Sequence, residues 1–319
     1  MYLLEWAKRK KSDVHVLLQK GRILAGEKKY CDRKSFMERD MLLYAHSLEK
    51  GMGIQNARKG YGKEKALALV NILKDYSSHY NTDTFPFLES IAVLDKYIEL
   101  MKEQNESIEQ VIRIRNTIDS YDAITNYCKS GYDHLSYDYL NTVDASMFES
   151  VLSSRHSIRH YSKDVITEDE LLKVVKLANM APSACNRQPT KIYYTKTQDN
   201  AKEFEKMIDG SHGFQGEVPY YLLVTTDRSY FGTDEYLQWY TNGGIYLGFL
   251  TLAFHACGMG SIILQWKYAQ ECESKVKSIF GIKETEAIVA IMGFGKYPKN
   301  GTKCILAQRK RPEDTIQGI

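Results

Sequence analysis

Residues 155–162 read Arg-His-Ser-Ile-Arg-His-Tyr-Ser and place two guanidiniums four positions apart with a hydroxyl between them. The planar donor forks of Arg155 and Arg159 suit a phosphate, and the Ser157 hydroxyl adds another donor. If the stretch is helical, the two arginines share one face and form a compact anion cradle. Taken alone, such a stretch is more often a solvated basic turn. A second candidate lies at 181–189, Ala-Pro-Ser-Ala-Cys-Asn-Arg-Gln-Pro. Small residues there would let backbone approach a flat ligand, and an Asn amide can both donate and accept at a heterocycle edge. Its plain alternative is a loop whose prolines stop one element and start the next. A third basic group, Arg309-Lys310-Arg311-Pro312, is a solvated tail by default and a second anion contact if the chain folds back.

Other chemistries find no support. Gly258 and Gly260 follow a helical pattern rather than a strand, and residues 293–298 (Gly-Phe-Gly-Lys-Tyr-Pro) lack a third glycine and a following helix. Neither has the strand, Gly-x-Gly-x-x-Gly and helix order of a dinucleotide fingerprint. His46, Glu49 and Lys50 at helical spacing read as an ion-paired surface. No nucleophile elbow, zinc-protease or P-loop motif occurs. The six cysteines are dispersed, with no Cys-x-x-Cys pair, so they read as reduced thiols of a cytoplasmic protein and no metal site is expected.

Elements that would position these residues follow from proline and periodicity. Only Pro86 precedes Pro182, while five of the six prolines lie from there onward. The first part is therefore expected to be nearly all helix. Helical patterns run through 40–51, closed by Gly51, through 63–80 and 87–104, and through 108–131, closed by Gly131. The Tyr- and Asp-rich segment 132–145 is a connector, which divides the chain into 1–145, of unassigned role, and 146–319. In the second part Thr167 and Glu170 make a capping box for a helix. Strands are expected at 190–197, 218–227 and 286–295, with an apolar helix through 243–258. Continuous apolar strands interleaved with helices imply an α+β or α/β layered domain.

Whole-chain properties agree with an ordinary globular protein. The 319 residues are 43% hydrophobic and 26% charged, ample for a core, and 43 Lys and Arg nearly balance 40 Asp and Glu. That balance argues against a nucleic-acid binder, and no apolar run is long enough to cross a membrane.

In order, the segments 155–161, 178–189, 242–261, 287–298 and 309–312 resemble the nitroreductase family of FMN-dependent oxidoreductases. The resemblance covers about residues 146–319. It implies an α+β fold, a sheet flanked by helices, assembled as a homodimer with FMN across the interface, here preceded by a mainly α-helical N-terminal domain. It implies that Arg155, His156, Ser157 and Arg159 hold the phosphate and ribityl chain, with Arg309 and Arg311 approaching the same phosphate. Pro182, Ser183, Ala184 and Asn186 would lie along the isoalloxazine from the partner subunit. Backbone near Leu264 and Gln265 would face the flavin N5 and O4 edge, and Gln215 the pyrimidine edge. Two departures fall by the substrate pocket: Thr190 stands where the family often has an aromatic, and Gln265 where many members have Gly or Glu. The implied activity is ping-pong hydride transfer from NADH or NADPH through FMN to a small acceptor such as a nitro compound or quinone. No side chain need be catalytic, because the cofactor carries the chemistry. A flavin enzyme with a dedicated substrate (dehalogenation, flavin fragmentation or a biosynthetic oxidation) and a non-catalytic FMN-binding protein stand as alternatives.

Overall fold

A computed structural model describes residue 21 and residues 32–118, 130–142, 144–208, 210–232, 234–264, 266 and 270–318. The chain begins with helices α1 (Arg33–Met52), α2 (Lys63–His79), α3 (Phe85–Glu103) and α4 (Glu109–Arg115). Their apolar stripes meet in one core that includes Met41, Leu48, Leu69, Leu73, Leu94 and Tyr97. Gly51 lies inside α1, and Gly53 caps it. A side chain at Gly51 would run into the Tyr61 ring, so close packing rather than helix termination accounts for that glycine. Of the helix expected over 108–131, Glu109–Arg115 forms, 116–118 turn, and 119–129 lie outside the described residues. The connector carries one helical turn, α5 (Tyr137–Leu140), and its surface is exposed.

The second part is α+β. After α6 (Ala145–Ser154) and α7 (Glu168–Ala178) come β1 (Thr190–Tyr194), α8 (Gln198–Glu205), β2 (Tyr220–Asp227), α9 (Gln238–Ala256), β3 (Met259–Leu264), α10 (Gln270–Phe280) and β4 (Glu286–Lys296). The capping box at Thr167 and Glu170 forms in both directions. The four strands are antiparallel in the order β1-β2-β4-β3. Alternation along β2 sends Tyr220, Leu222 and Val224 into a core beneath α7 and α9, and Tyr221 and Leu223 into a second core with Phe204 of α8 and Val276 of α10. Both faces of the sheet are thus covered.

One irregularity in this sheet bears on the site. Val224 pairs with Ala290 whereas Thr225 pairs with Ile288, so Val289 is an extra residue, a β-bulge. It shifts the phase of β4, which is why Ile288 and Ile291, three apart, share the second core. A side chain on Gly243 of α9 would meet Val289 and the Thr226 hydroxyl. Glycine therefore lets α9 rest directly on the bulge and fixes the neighbouring Asn242, which is buried.

Helix propensity favours Gly243→Ala by about 1 kcal/mol, while forcing a methyl into this contact costs about 1–3 kcal/mol. Overpacking is expected to dominate. Urea denaturation should show Gly243→Ala less stable than the wild type, and a stabilised variant would mean that the helix lifts off the bulge without penalty.

Candidate functional site

Arg155 ends α6 with extended backbone, and Ser157 forms a parallel bridge to Ser261 of β3. The Ile158 amide donates to the Ser261 carbonyl at 3.1 Å, and the Ile158 side chain is buried. The 155–159 stretch is therefore extended, not helical. Arg155, Ser157 and Arg159 still share a face, because alternate residues of an extended chain point the same way.

These three, with His156, line a cleft of about 880 Å³ closed on its far side by Ile305, Leu306, Ala307, Gln308 and Arg309, with Glu149, Leu152 and Ser153 at its rim. The C-terminal segment thus returns Arg309 to the cradle across half the chain. Among the described residues none of the Arg155, Arg159 and Arg309 guanidiniums has an ion-pair partner. Arg159 stands 6.0 Å from the centre of the Phe214 ring, and Arg309 donates to the Ala307 carbonyl at 2.9 Å. Arg311 lies apart from the cleft, paired with Asp314 at 3.0 Å. His255 bridges Ser154 Oγ at 2.7 Å and Tyr297 Oη at 2.8 Å, tying α6 and α9 to the residue that follows β4. Burial first, then the charges of Arg155 and His156, push the His255 pKa below its ordinary value.

The turn at 181–189 is built quite differently. Cys185, Asn186 and Gln188 all have left-handed φ, between 46° and 50°. Three such non-glycine residues in four are sparsely populated backbone, and surrounding bonds must hold them. Ser183 Oγ accepts from the Gln188 amide at 3.1 Å, and Asn242 Oδ1 accepts from the Ala184 amide at 2.8 Å. Arg187, 1% exposed, is the anchor. Its guanidinium donates to Ala184 O at 3.1 Å, Tyr230 O at 2.6 Å, and both Glu235 oxygens at 2.8 and 2.5 Å, and it sits 4.6 Å from the centre of the Phe231 ring. Hydrogen bonding from Arg187 holds the Glu235 pKa below the usual glutamate value.

Pro182, Ser183, Ala184 and Asn186 belong to this turn, and none of them lines the cleft. Leu264, at the end of β3, buries its side chain against the second core and pairs with Ile291 of β4. Gln265 lies outside the described residues. Gln215 is exposed, and its amide is engaged within its own loop by the Gly213 amide and the His212 ring. Arg187, Glu235 and Asn242 were invisible as site-builders in the sequence. An Arg between two amides reads as polar loop, and Asn242 is recognisable only as a polar residue on the buried face of an apolar helix.

Residues 152–212 match the profile of the Nitroreductase family, a segment that contains both the cradle and the turn. A protein of Archaeoglobus fulgidus named as an NADH dehydrogenase/NAD(P)H nitroreductase is 24% identical, over 47% of this chain and 84% of its own. An iodotyrosine deiodinase of Thermotoga neapolitana is 26% identical, over 36% of this chain and 72% of its own. Among solved structures, an FMN-dependent nitroreductase of Clostridium difficile matches at 16% identity and a TM-score of 0.44, over 53% of this chain and 96% of its own.

Removing one partner of a buried ion pair leaves the other charge stranded, at a cost of about 3–5 kcal/mol. Arg187→Ala should fall at the lower end, because Glu235 is 31% exposed. The depressed Glu235 pKa stabilises the fold above the ordinary glutamate value of 4.5 and is lost as pH falls through the folded value. Glu235→Gln should therefore flatten the acid limb of stability against pH below about 4.5. Chemical denaturation across pH 3–7 measures both effects.

Proposed function

We propose that the chain is an NAD(P)H-dependent FMN oxidoreductase of nitroreductase type, with residues 146–319 as its flavin unit and 1–145 as an added helical unit. The observation that carries this reading is the cleft in which Arg155, His156, Ser157, Arg159 and Arg309 converge with uncommitted positive charge. Four of those five residues, Arg155, His156, Ser157 and Arg159, lie in the segment with the family match.

The residues fit the cofactor. Three guanidiniums and a hydroxyl supply the charge-assisted donors that a phosphate monoester needs, and the 880 Å³ volume accommodates a nucleotide-sized ligand. When bound, FMN supplies hydride acceptance from a nicotinamide and its delivery to an acceptor. Arg155, Ser157, Arg159 and Arg309 bind the phosphate end. Ser183, Ala184 and Asn186, from a second copy, offer small surface and an amide edge for the ring. Backbone around Leu264 and Gln265 supplies donors for the ring edge, and Gln215 would leave Gly213 and His212 to reach the pyrimidine edge. Arg311 would have to leave Asp314 to reach the phosphate. The acceptor belongs to the class of small oxidised organic compounds, with nitroaromatics and quinones as assay substrates.

Homodimerisation completes this site, and the surface supports it. Met147, Phe148 and Leu152 of α6 and Tyr240, Ile245 and Phe249 of the neighbouring α9 are exposed. Space is open above Gly244 and Gly248 on α9. Exposed apolar side chains on two neighbouring helices are the kind of surface that association covers.

Each guanidinium–phosphate contact is worth about 1.5–3 kcal/mol, so Arg155→Ala with Arg159→Ala should weaken FMN binding by about a hundredfold or more. Fluorescence titration of the apoprotein measures this, and unchanged affinity rejects the cradle. Light scattering should report a dimer for the wild type. Ile245→Asp with Phe249→Asp should yield monomers that lose flavin; a dimer with flavin retained would place the interface elsewhere.

A further inference from the structure

The helical unit reaches the strained turn through a carboxylate. Glu89 of α3 accepts from Ser130 Oγ at 2.9 Å through one oxygen, and its other oxygen lies 3.5 Å from Asn186 Nδ2. On its opposite side the Asn186 amide oxygen accepts from Gln188 Nε2 at 2.9 Å. Each end of the Asn186 amide therefore has one partner and keeps one hydrogen-bonding capacity, a donor beside an acceptor. We propose that Glu89, supplied by the helical unit, is a positioning residue for Asn186 and fixes which edge of that amide the site presents to its heterocyclic ligand. The proposal rests on the flavin reading above for the identity of that ligand.

The chemistry is directional. An ionised carboxyl only accepts, so it selects the Nδ2 end of the amide. A protonated one also donates, and would equally admit Oδ1. Ionisation of Glu89 therefore governs the orientation of Asn186. The titratable group packed beside Glu89 is Glu49 of α1, which accepts from the Gly131 amide at 3.3 Å and has His46 4.0 Å away; Lys50 and Arg187 lie beyond His46. Burial raises the Glu89 pKa, and the Glu49 charge adds to the rise; burial raises that of Glu49 too. The switch in orientation thus falls above the ordinary glutamate value of 4.5. An added unit that only covered the turn would need no such bond. This one makes the amide of a neighbouring unit depend on a carboxyl of its own.

The test uses the full chain, labelled with ¹⁵N-asparagine and with glutamate carrying ¹³C at the side-chain carboxyl. The Asn186 side-chain NH₂ resonances should shift with pH along the Glu89 carboxyl titration, and Glu89→Gln should abolish the shift. Resonances in the wild type that ignore that titration would overturn the proposal, and this reading needs no flavin. With FMN as the probe at pH 7.5, Glu89→Gln and Asn186→Ala should each raise the dissociation constant about fivefold, and the double variant no further than either alone. Additive effects, or an unchanged constant in Glu89→Gln, would also overturn it. Failure of the unsubstituted protein to bind FMN would instead reject the flavin reading, while the amide titration still decides the Glu89–Asn186 bond. Glu89→Gln keeps size and shape, and its melting temperature relative to the wild type separates positioning from loss of fold.

Discussion

One buried guanidinium determines the shape of the strained turn at 181–189. Arg187 satisfies two carbonyls and a bidentate carboxylate while packing on Phe231, and it does so from the middle of a turn with three left-handed residues. Desolvating such a charge is expensive unless every donor finds a partner. With four hydrogen bonds from the guanidinium in place, the geometry has little freedom, because the fork of Arg187 admits Glu235 in only one orientation. Asn242 then closes the other end of the turn from a helix that glycine has allowed onto the bulged strand. Backbone strain at 185–188 is thus held by charge at one end and by helix position at the other.

The cradle depends on a different constraint, sheet geometry. Bridging of Ser157 to Ser261 and of the Ile158 amide to the Ser261 carbonyl makes 155–159 a rail laid along β3. The rail alternates arginine, serine and arginine on one side and buries Ile158 on the other. Arg309 completes the set only because the tail returns across the cleft. Two basic clusters far apart in the chain meet through that return, while the turn, beside Glu89 of the helical unit, does not line the cleft.

The helical unit is joined to the rest by more than proximity. Glu38 of α1 accepts from Tyr76 of its own unit at 2.7 Å and from Tyr230, just after β2, at 3.1 Å. Much of this architecture was legible in the sequence. The capping box, the apolar strands and the amphipathic helices carry local signals set by periodicity, and the basic stretches were visible from residue type alone. What stayed hidden depends on contacts distant in sequence. Extended rather than helical backbone at 155–159 is decided by pairing with β3, which local composition does not encode. Gly51 looked like a helix stop and is instead a space for Tyr61. Arg187, Asn242 and Glu89 carry no local mark of their partners, which lie 48, 58 and 97 residues away.

The extra residue at Val289 has a consequence for how this sheet can change over generations. A strand has a period of two, so any single insertion or deletion normally exchanges its two faces and turns core outward. β4 already holds one such shift, placed where α9 lies against it without side chains between. Length variation in this strand is therefore confined: a deletion elsewhere would have to be compensated within a few residues, while deletion of Val289 itself would remove the bulge and leave Ile288 and Ala290 on their present faces. Side-chain identity along β4 is confined as well, because the strand is buried along nearly all its length and a side chain at Gly293 or Gly295 would meet Val218, Pro219 or Tyr161.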